Sequence, residues 1–265
     1  MPPLARAPVA VPASGAVAIG SDVASLPDGH GSKIAIGVDD VGGTDTYLSD
    51  YLHLPQPLTF SIMPFTSNAP ADDAAAHAAG RHVTLHIPLQ NSPRGKRADG
   101  LTVGMQPAAI NEFLDRALQR VPHAEGANNH EGSWGSTQTA IVRPLIEALN
   151  ARHLFFYDSV TSGRTVGYAV LTTLGLPPRI NNAFLDHYET DRDSRDALFQ
   201  LATVAARQGS AIGICHVFHP YLLHALQQFG PQMEEKGYVF VPIADVTNRP
   251  AATGLDERVR TAIAH

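Results

Sequence analysis

The chain has 265 residues, 44% of them hydrophobic and 17% charged, which is enough apolar mass for a full core and far from a disordered polyelectrolyte. A formal charge of -6 and 19 scattered Lys and Arg residues offer no cationic surface for phosphates, which argues against nucleic acid as a partner. A single cysteine, Cys215, excludes a disulfide framework and any multi-cysteine zinc or iron-sulfur site, while histidine, with 13 copies and no terminal run, is in surplus.

Residues 1–20 hold six Ala, four Pro and three Val, and prolines at positions 2, 3, 8 and 12 forbid a helix and leave no clean signal-peptide core. Residues 1–31 therefore read as a flexible linker, either a tether to a further N-terminal segment or a leader, ahead of one domain over 32–265. Short apolar runs then alternate with segments of helical period, the pattern of parallel strands with crossover helices. Strands are predicted over 34–38, 58–63, 82–85, 124–127, 154–157, 180–185, 210–214 and 238–241. Helices are predicted between them over 45–54, 72–79, 107–121, 138–152, 164–174, 193–207 and 221–236. In the third helix Ile110, Phe113, Leu114, Ala117, Leu118 and Val121 share one face, and Pro107 suits a first turn. The fold class is α/β, a distorted (β/α) barrel of seven or eight mainly parallel strands in a single domain. The loop over 90–105, rich in Gly, Pro, Arg and Lys, is either a lid over a site or a surface insertion without function. No run approaches the roughly 18 consecutive apolar residues that a membrane span needs.

The chemistry collects at the strand ends, because parallel α/β barrels bring the C-terminal ends of their strands to one shared mouth. The first strand ends in Asp39-Asp40, the third in His86 and the fourth in Asn128-Asn129-His130. Asp158-Ser159, Asp186-His187 and Cys215-His216 close the fifth, sixth and seventh. An isolated strand-end aspartate is usually a cap or turn residue; recurrence at six ends points to a site. Ser133 and Ser159 stand outside any Gly-x-Ser-x-Gly elbow, and Cys215 faces away from its neighbour His216 along a strand, packed against a helix. No Gly-x-Gly-x-x-Gly or phosphate loop supports a nucleotide cofactor.

These segments resemble the divergent polysaccharide deacetylases, relatives of the metal-dependent carbohydrate esterases that remove acetyl groups from chitin and peptidoglycan. The resemblance is carried by Ile34-Ala-Ile-Gly-Val-Asp-Asp-Val-Gly42, Leu85-His-Ile-Pro88, Gly126-Ala-Asn-Asn-His-Glu-Gly-Ser133, Phe156-Tyr-Asp-Ser-Val-Thr-Ser162, Phe184-Leu-Asp186 and Gly209-Ser-Ala-Ile-Gly-Ile-Cys-His216. It covers about residues 33–245, and Asn-Asn-His-x-Gly-Ser is its most specific piece. It implies a barrel of seven or so strands, a divalent metal, an acetylated amino-sugar oligomer or polysaccharide as substrate, and a periplasmic or cell-envelope location.

A hydrolytic zinc site wants three N and O ligands and an open position, which Asp40, His86 and His130 supply. The better characterised relatives carry two histidines four residues apart in their second motif, whereas position 90 here is Gln; His130 is the replacement ligand. The resemblance gives the general base to Asp39, for which the competing role is a cap on the next helix. It gives the general acid to His216, oriented through its second ring nitrogen by Asp158 or Asp186. The relatives hold the base with an arginine in the fourth-strand motif, where this chain has Asn128-Asn129. Asn128, Asn129, Ser133, Ser159 and Trp134 are the expected substrate contacts; Trp134 either stacks on a sugar ring or is an ordinary half-buried aromatic. The alternative to a deacetylase is an inactive carbohydrate-binding or envelope-scaffolding protein on the same fold.

Overall fold

The computed structural model describes residues 22–95 and 99–250. The strands are β1 (Lys33–Val41), β2 (Thr59–Ile62), β3 (His82–Leu89), β4 (Ala124–Glu131), β5 (Phe155–Tyr157), β6 (Asn181–Phe184), β7 (Ser210–His216) and β8 (Val239–Phe240). Between them lie α1 (Leu48–Leu52), α2 (Ala69–Ala78), α3 (Pro107–Arg120), α4 (Thr139–Asn150), α5 (Gly167–Thr173), α6 (Asp191–Gln208) and α7 (Tyr221–Glu235). The strand order is β5-β4-β3-β2-β1-β7-β6, with β8 beside β1, and every pairing is parallel. The sheet curls until its two end strands meet at a single bridge, where Asp158 N–H donates to Arg179 O and Asn181 N–H to Asp158 O, both at 2.9 Å. This is the distorted single-domain (β/α) barrel expected from the sequence.

Burial on both faces makes the strands nearly continuous apolar runs. Along β1 the period of two sends Ile34, Ile36 and Val38 into the outer core with the helices, while Ala35 belongs to an inner cluster with Tyr157, Ile212, Ile214, Ile243 and Val246. Gly37 and Asp39 continue the inward face beyond Ala35, so the interior ends at the mouth in a carboxylate. A Cβ at Gly37 would lie 3.0 Å from the Tyr157 hydroxyl, so the glycine makes room for that ring. Helix ends obey local chemistry. The predicted start of the sixth helix at 193 moves back to Asp191 because Thr190 caps it, its hydroxyl accepting the Asp193 N–H at 3.1 Å. Gly209, at φ 87°, ends it in the left-handed region.

Two expectations need correction. The linker does not reach residue 31: Val23 and Leu26 are buried in the core, and Gly29 N–H donates to Lys236 O at 2.9 Å. Residues 1–21 of that linker, and the end of the domain over 251–265, lie outside the described residues. Strands β3 and β4 run four residues further than expected, pairing His86 with Asn128, Ile87 with Asn129 and Pro88 with His130. Polar residues that read as strand termini are ladder members, because the barrel mouth buries them against one another. The loop after β3 is pinned at its root, where Gln90 donates to Ser92 O at 2.8 Å and accepts Val103 N–H at 3.0 Å. No helix among the described residues is long and apolar enough to cross a membrane.

Candidate metal centre and active site

The C-terminal rim concentrates backbone strain. Asp40 (φ 64°), Glu131 (φ 50°) and Val160 (φ 55°), at the ends of β1 and β4 and just past β5, lie in the left-handed region without being glycine. Simple alternation would point Asp40 away from Asp39 and towards the helices. The turn in its backbone instead brings its Oδ1 within 3.1 Å of His86 Nε2 and 2.8 Å of His130 Nδ1. The two imidazole nitrogens lie 3.2 Å apart. Three donor atoms thus crowd one point. A tetrahedral zinc with bonds of about 2.0–2.2 Å spaces its ligand atoms about 3.3–3.6 Å apart, so this N, N, O set fits a small divalent cation after slight outward relaxation.

The neighbours fix each imidazole. His86 Nδ1–H donates to Asn128 Oδ1 at 2.7 Å, which leaves Nε2 with its lone pair towards Asp40 and His130. His130 turns Nδ1 inward and sets Nε2 4.0 Å from Glu131, whose carboxylate accepts from Asn91 Nδ2 at 2.6 Å. Burial works against ionised Asp40, yet the two imidazoles overrule it and hold its carboxyl well below the usual range. For His86, burial opposes the cation, but Asp39 and Asp40 raise the pKa above the ordinary value.

Asp39 lies next to this triad, with Oδ2 3.7 Å from His86 Nε2. Its two oxygens are held by uncharged donors, Asn128 Nδ2 on Oδ2 at 2.9 Å and Tyr157 Oη on Oδ1 at 3.1 Å. The same Asn128 amide donates to Ser159 Oγ at 2.9 Å, so one side chain aligns a potential ligand and a carboxylate together. Across the β1–β7 ladder Asp39 pairs with His216. His216 Nδ1 lies 3.1 Å from Asp186 Oδ1, and its backbone N–H donates to Asp186 Oδ2 at 2.7 Å. Burial opposes protonation of His216, but Asp186 prevails and lifts its pKa to about 9. The ring packs between Phe184 and Phe218. With Nδ1 engaged, Nε2 is the nitrogen able to carry a proton to a substrate.

Several expected site residues take other places. Asp158 does not orient His216; its carboxylate accepts Thr165 Oγ1 at 2.5 Å and Val160 N–H at 2.8 Å, so it serves the turn after β5. Asn128, Asn129 and Ser159 are at most 1% exposed, and their polar atoms are engaged within the protein, where they orient neighbouring groups. Asn129 is spent on the Ser159 N–H and on Glu131 O and Thr161 Oγ1. Exposed Ser133 and half-buried Trp134 remain at the rim. Burial pushes the Cys215 thiol well up, and it lies against Tyr51 of α1, so no thiol-imidazole pair forms with His216.

Sequence reasoning missed four residues. Tyr157, Ser61 and Thr84 lie beneath Asp39, and His219 Nδ1 shares the Asp186 carboxylate at 3.0 Å. A signal existed for two of them: Ser61 and Thr84 are polar positions inside apolar strands, and they are register partners. His219 stood three residues past His216. Its spacing was visible, but its partner was not.

A parallel barrel carries an Asp-His-His cluster and a second His-Asp pair at its C-terminal mouth. The profile of the divergent polysaccharide deacetylases matches residues 36–247, and the chain belongs to that family. It is 32% identical over 186 residues to an uncharacterized Haemophilus influenzae protein, covering 70% of this chain and 66% of that one. The chain spans 66% and 61% of the length of the two curated relatives it matches. Among solved structures, an uncharacterized Agrobacterium tumefaciens protein superposes with a TM-score of 0.75 at 20% identity, over 86% of this chain and 98% of that one. A mutant of BA3943, described as a CE4 family pseudoenzyme with restored enzymatic activity, superposes with a TM-score of 0.55 at 10% identity, over 81% of this chain and 67% of that one.

Proposed function

We propose that the protein is a metal-dependent deacetylase of an envelope or extracellular polysaccharide, acting on N- or O-acetyl groups. The observation that carries this reading is the convergence of Asp40, His86 and His130 beside an aligned Asp39, which pairs across the β1–β7 ladder with His216. Asp40, His86 and His130 would hold a divalent cation, zinc by their N, N, O chemistry, which would supply Lewis-acid polarisation of the acetyl carbonyl and of water. Asp39 takes the proton from water as its oxygen attacks the carbonyl carbon, and Asn128 and Tyr157 keep the accepting carboxylate in place. The bond from the acetyl carbon to the leaving nitrogen, or to oxygen in an O-acetyl group, then breaks, and His216 delivers its Nε2 proton to the departing amine or alcohol. Asp186 holds the imidazole and stabilises its charged form before that transfer. Trp134 and the exposed Tyr188 give the rim aromatic faces suited to a sugar ring.

A second reading is favoured by one finding: a structural neighbour is described as a pseudoenzyme, so the fold also exists without its chemistry. In that case the mouth binds an acetylated glycan and releases nothing. Metal analysis of the purified protein, with acetate release from N-acetylglucosamine oligomers as the second measurement, separates the two. Stoichiometric metal with release supports the deacetylase. Glycan binding without release, in the presence of zinc, supports the binding protein. Both readings carry the envelope location that the family resemblance implies, and fractionation of the native host tests it.

A further inference from the structure

Beneath the mouth, the barrel interior contains a line of hydroxyls. Thr84 Oγ1 donates to Ser61 Oγ at 3.0 Å, Ser61 Oγ lies 2.5 Å from Tyr157 Oη, and Tyr157 Oη donates to Asp39 Oδ1 at 3.1 Å. The three hydroxyl residues are 0% exposed and Asp39 is 2% exposed. Counting protons fixes the direction of the line. Burial and the Asp39 charge push the Tyr157 phenol well above its ordinary pKa, so it keeps its proton. An ionised carboxylate only accepts, so the phenol donates to Asp39 and must accept from Ser61; Ser61 in turn accepts from Thr84. Three protons make three bonds, all pointing at the carboxylate, and donors aligned in this way polarise one another. Gly37 keeps the space for the phenol open, since a Cβ there would stand 3.0 Å from Tyr157 Oη.

We infer that Tyr157, backed by Ser61 and Thr84, is the positioning residue for Asp39, one that uses neutral donors to fix the carboxylate's orientation. Tyr157 fixes Oδ1 from below while Asn128 fixes Oδ2 from the side, so rotation of the carboxylate is blocked. This rests on Asp39 acting as the proton acceptor. Its signature is a loss in kcat alone, because neither the metal ligands nor the rim contacts are touched.

The test uses the full-length, zinc-loaded protein and N-acetylglucosamine oligomers, with Tyr157→Phe, Ser61→Ala and the double variant. Tyr157→Phe is expected to lower kcat about 10-fold, the scale of one hydrogen bond to a charged group, with KM and metal content unchanged. Ser61→Ala should cost only about 2–3-fold, because it removes polarisation and not the final donor. The double variant should be no slower than Tyr157→Phe, since Ser61 acts through Tyr157. Wild-type kcat in Tyr157→Phe, or losses that multiply in the double variant, overturn the inference. If Tyr157→Phe does not fold, Ser61→Ala and Thr84→Val carry the test, and wild-type kcat in both overturns it. If the wild-type protein releases no acetate, the functional reading fails separately, and proton NMR of the metal-free protein decides: a slowly exchanging Tyr157 hydroxyl proton that Asp39→Asn and Ser61→Ala both shift sustains the chain, and one unmoved by either overturns it.

Discussion

At the level of single residues, the site divides its work between groups that bind and groups that orient. Asn128 is the clearest case, since its oxygen sets the His86 tautomer while its nitrogen holds Asp39. Asn128→Leu leaves His86 Nδ1 and Asp39 Oδ2 without their Asn128 bonds, and zinc affinity is expected to fall about 10–100-fold along with turnover, as titration with a competing chelator would measure. Asp39→Asn should instead keep stoichiometric zinc while turnover falls about 100-fold. Equal metal loss in the two variants would remove the distinction between binding and base. The His216–Asp186 pair sets a pH limit. In the proposed reaction His216 serves as acid only while protonated, and its pKa of about 9 places the expected loss of turnover on the alkaline side. Asp186→Asn removes the carboxylate that offsets burial, so the alkaline limb should move to lower pH by about one unit or more. A limb that stays in place, read from kcat against pH, would separate His216 from the acid role.

Among the elements, the strand ends and the loops behind them carry the strain that shapes the mouth, and one carboxylate pair bears on the loop after β1. Asp45 accepts the Gly42 N–H at 2.8 Å, and its charge bears on Asp72 in the first turn of α2. Burial first, and Asp45 second, raise the Asp72 pKa from 3.8 to about 6. Linkage gives the sign. The folded chain holds this proton more tightly than the unfolded one, so the associated stability is complete below about 3.8 and is lost as pH rises through about 6. Asp72→Asn should therefore match the wild type in melting temperature near pH 4 and exceed it near pH 8. The gain is at most about 1 kcal/mol, because solvent screens this half-buried carboxyl. A constant difference across that range would show that the pair does not repel in the folded protein.

For the molecule as a whole, closure of the barrel rests on few contacts between β5 and β6, and Asp158 makes several of them. Its backbone forms the bridge to Ile180, and its side chain anchors the turn that leads to α5. Asp158→Ala orphans the Val160 N–H and leaves the Thr165 hydroxyl only its longer bond to Ser136 O, and stability should fall by about 1–3 kcal/mol in urea unfolding. Zinc content and turnover per folded molecule should stay at wild-type values. A tenfold loss of turnover with metal retained would return Asp158 to the catalytic set.

The alternation of eight strands and seven helices was legible in the amino-acid sequence alone, because a two-residue period in the strands and a 3.6-residue period in the helices are properties of local chain geometry. So was the gathering of Asp39, Asp40, His86, His130, Asp186 and His216 at one rim, since parallel strands share a direction and their ends share a mouth. The sequence did not separate Asp186 from Asp158 as the partner of His216, nor could it show that Asn128, Asn129 and Ser159 orient neighbouring groups. Those assignments depend on which neighbour lies across the ladder, and local sequence carries no such information. Only the closed fold turns Asp40 back through a left-handed backbone to join His86 and His130. Only there does Tyr157, 118 residues from Asp39, hold the carboxylate from inside the barrel. Such contacts arise when the sheet has closed, because closure places inward-facing side chains of distant strands within hydrogen-bond reach.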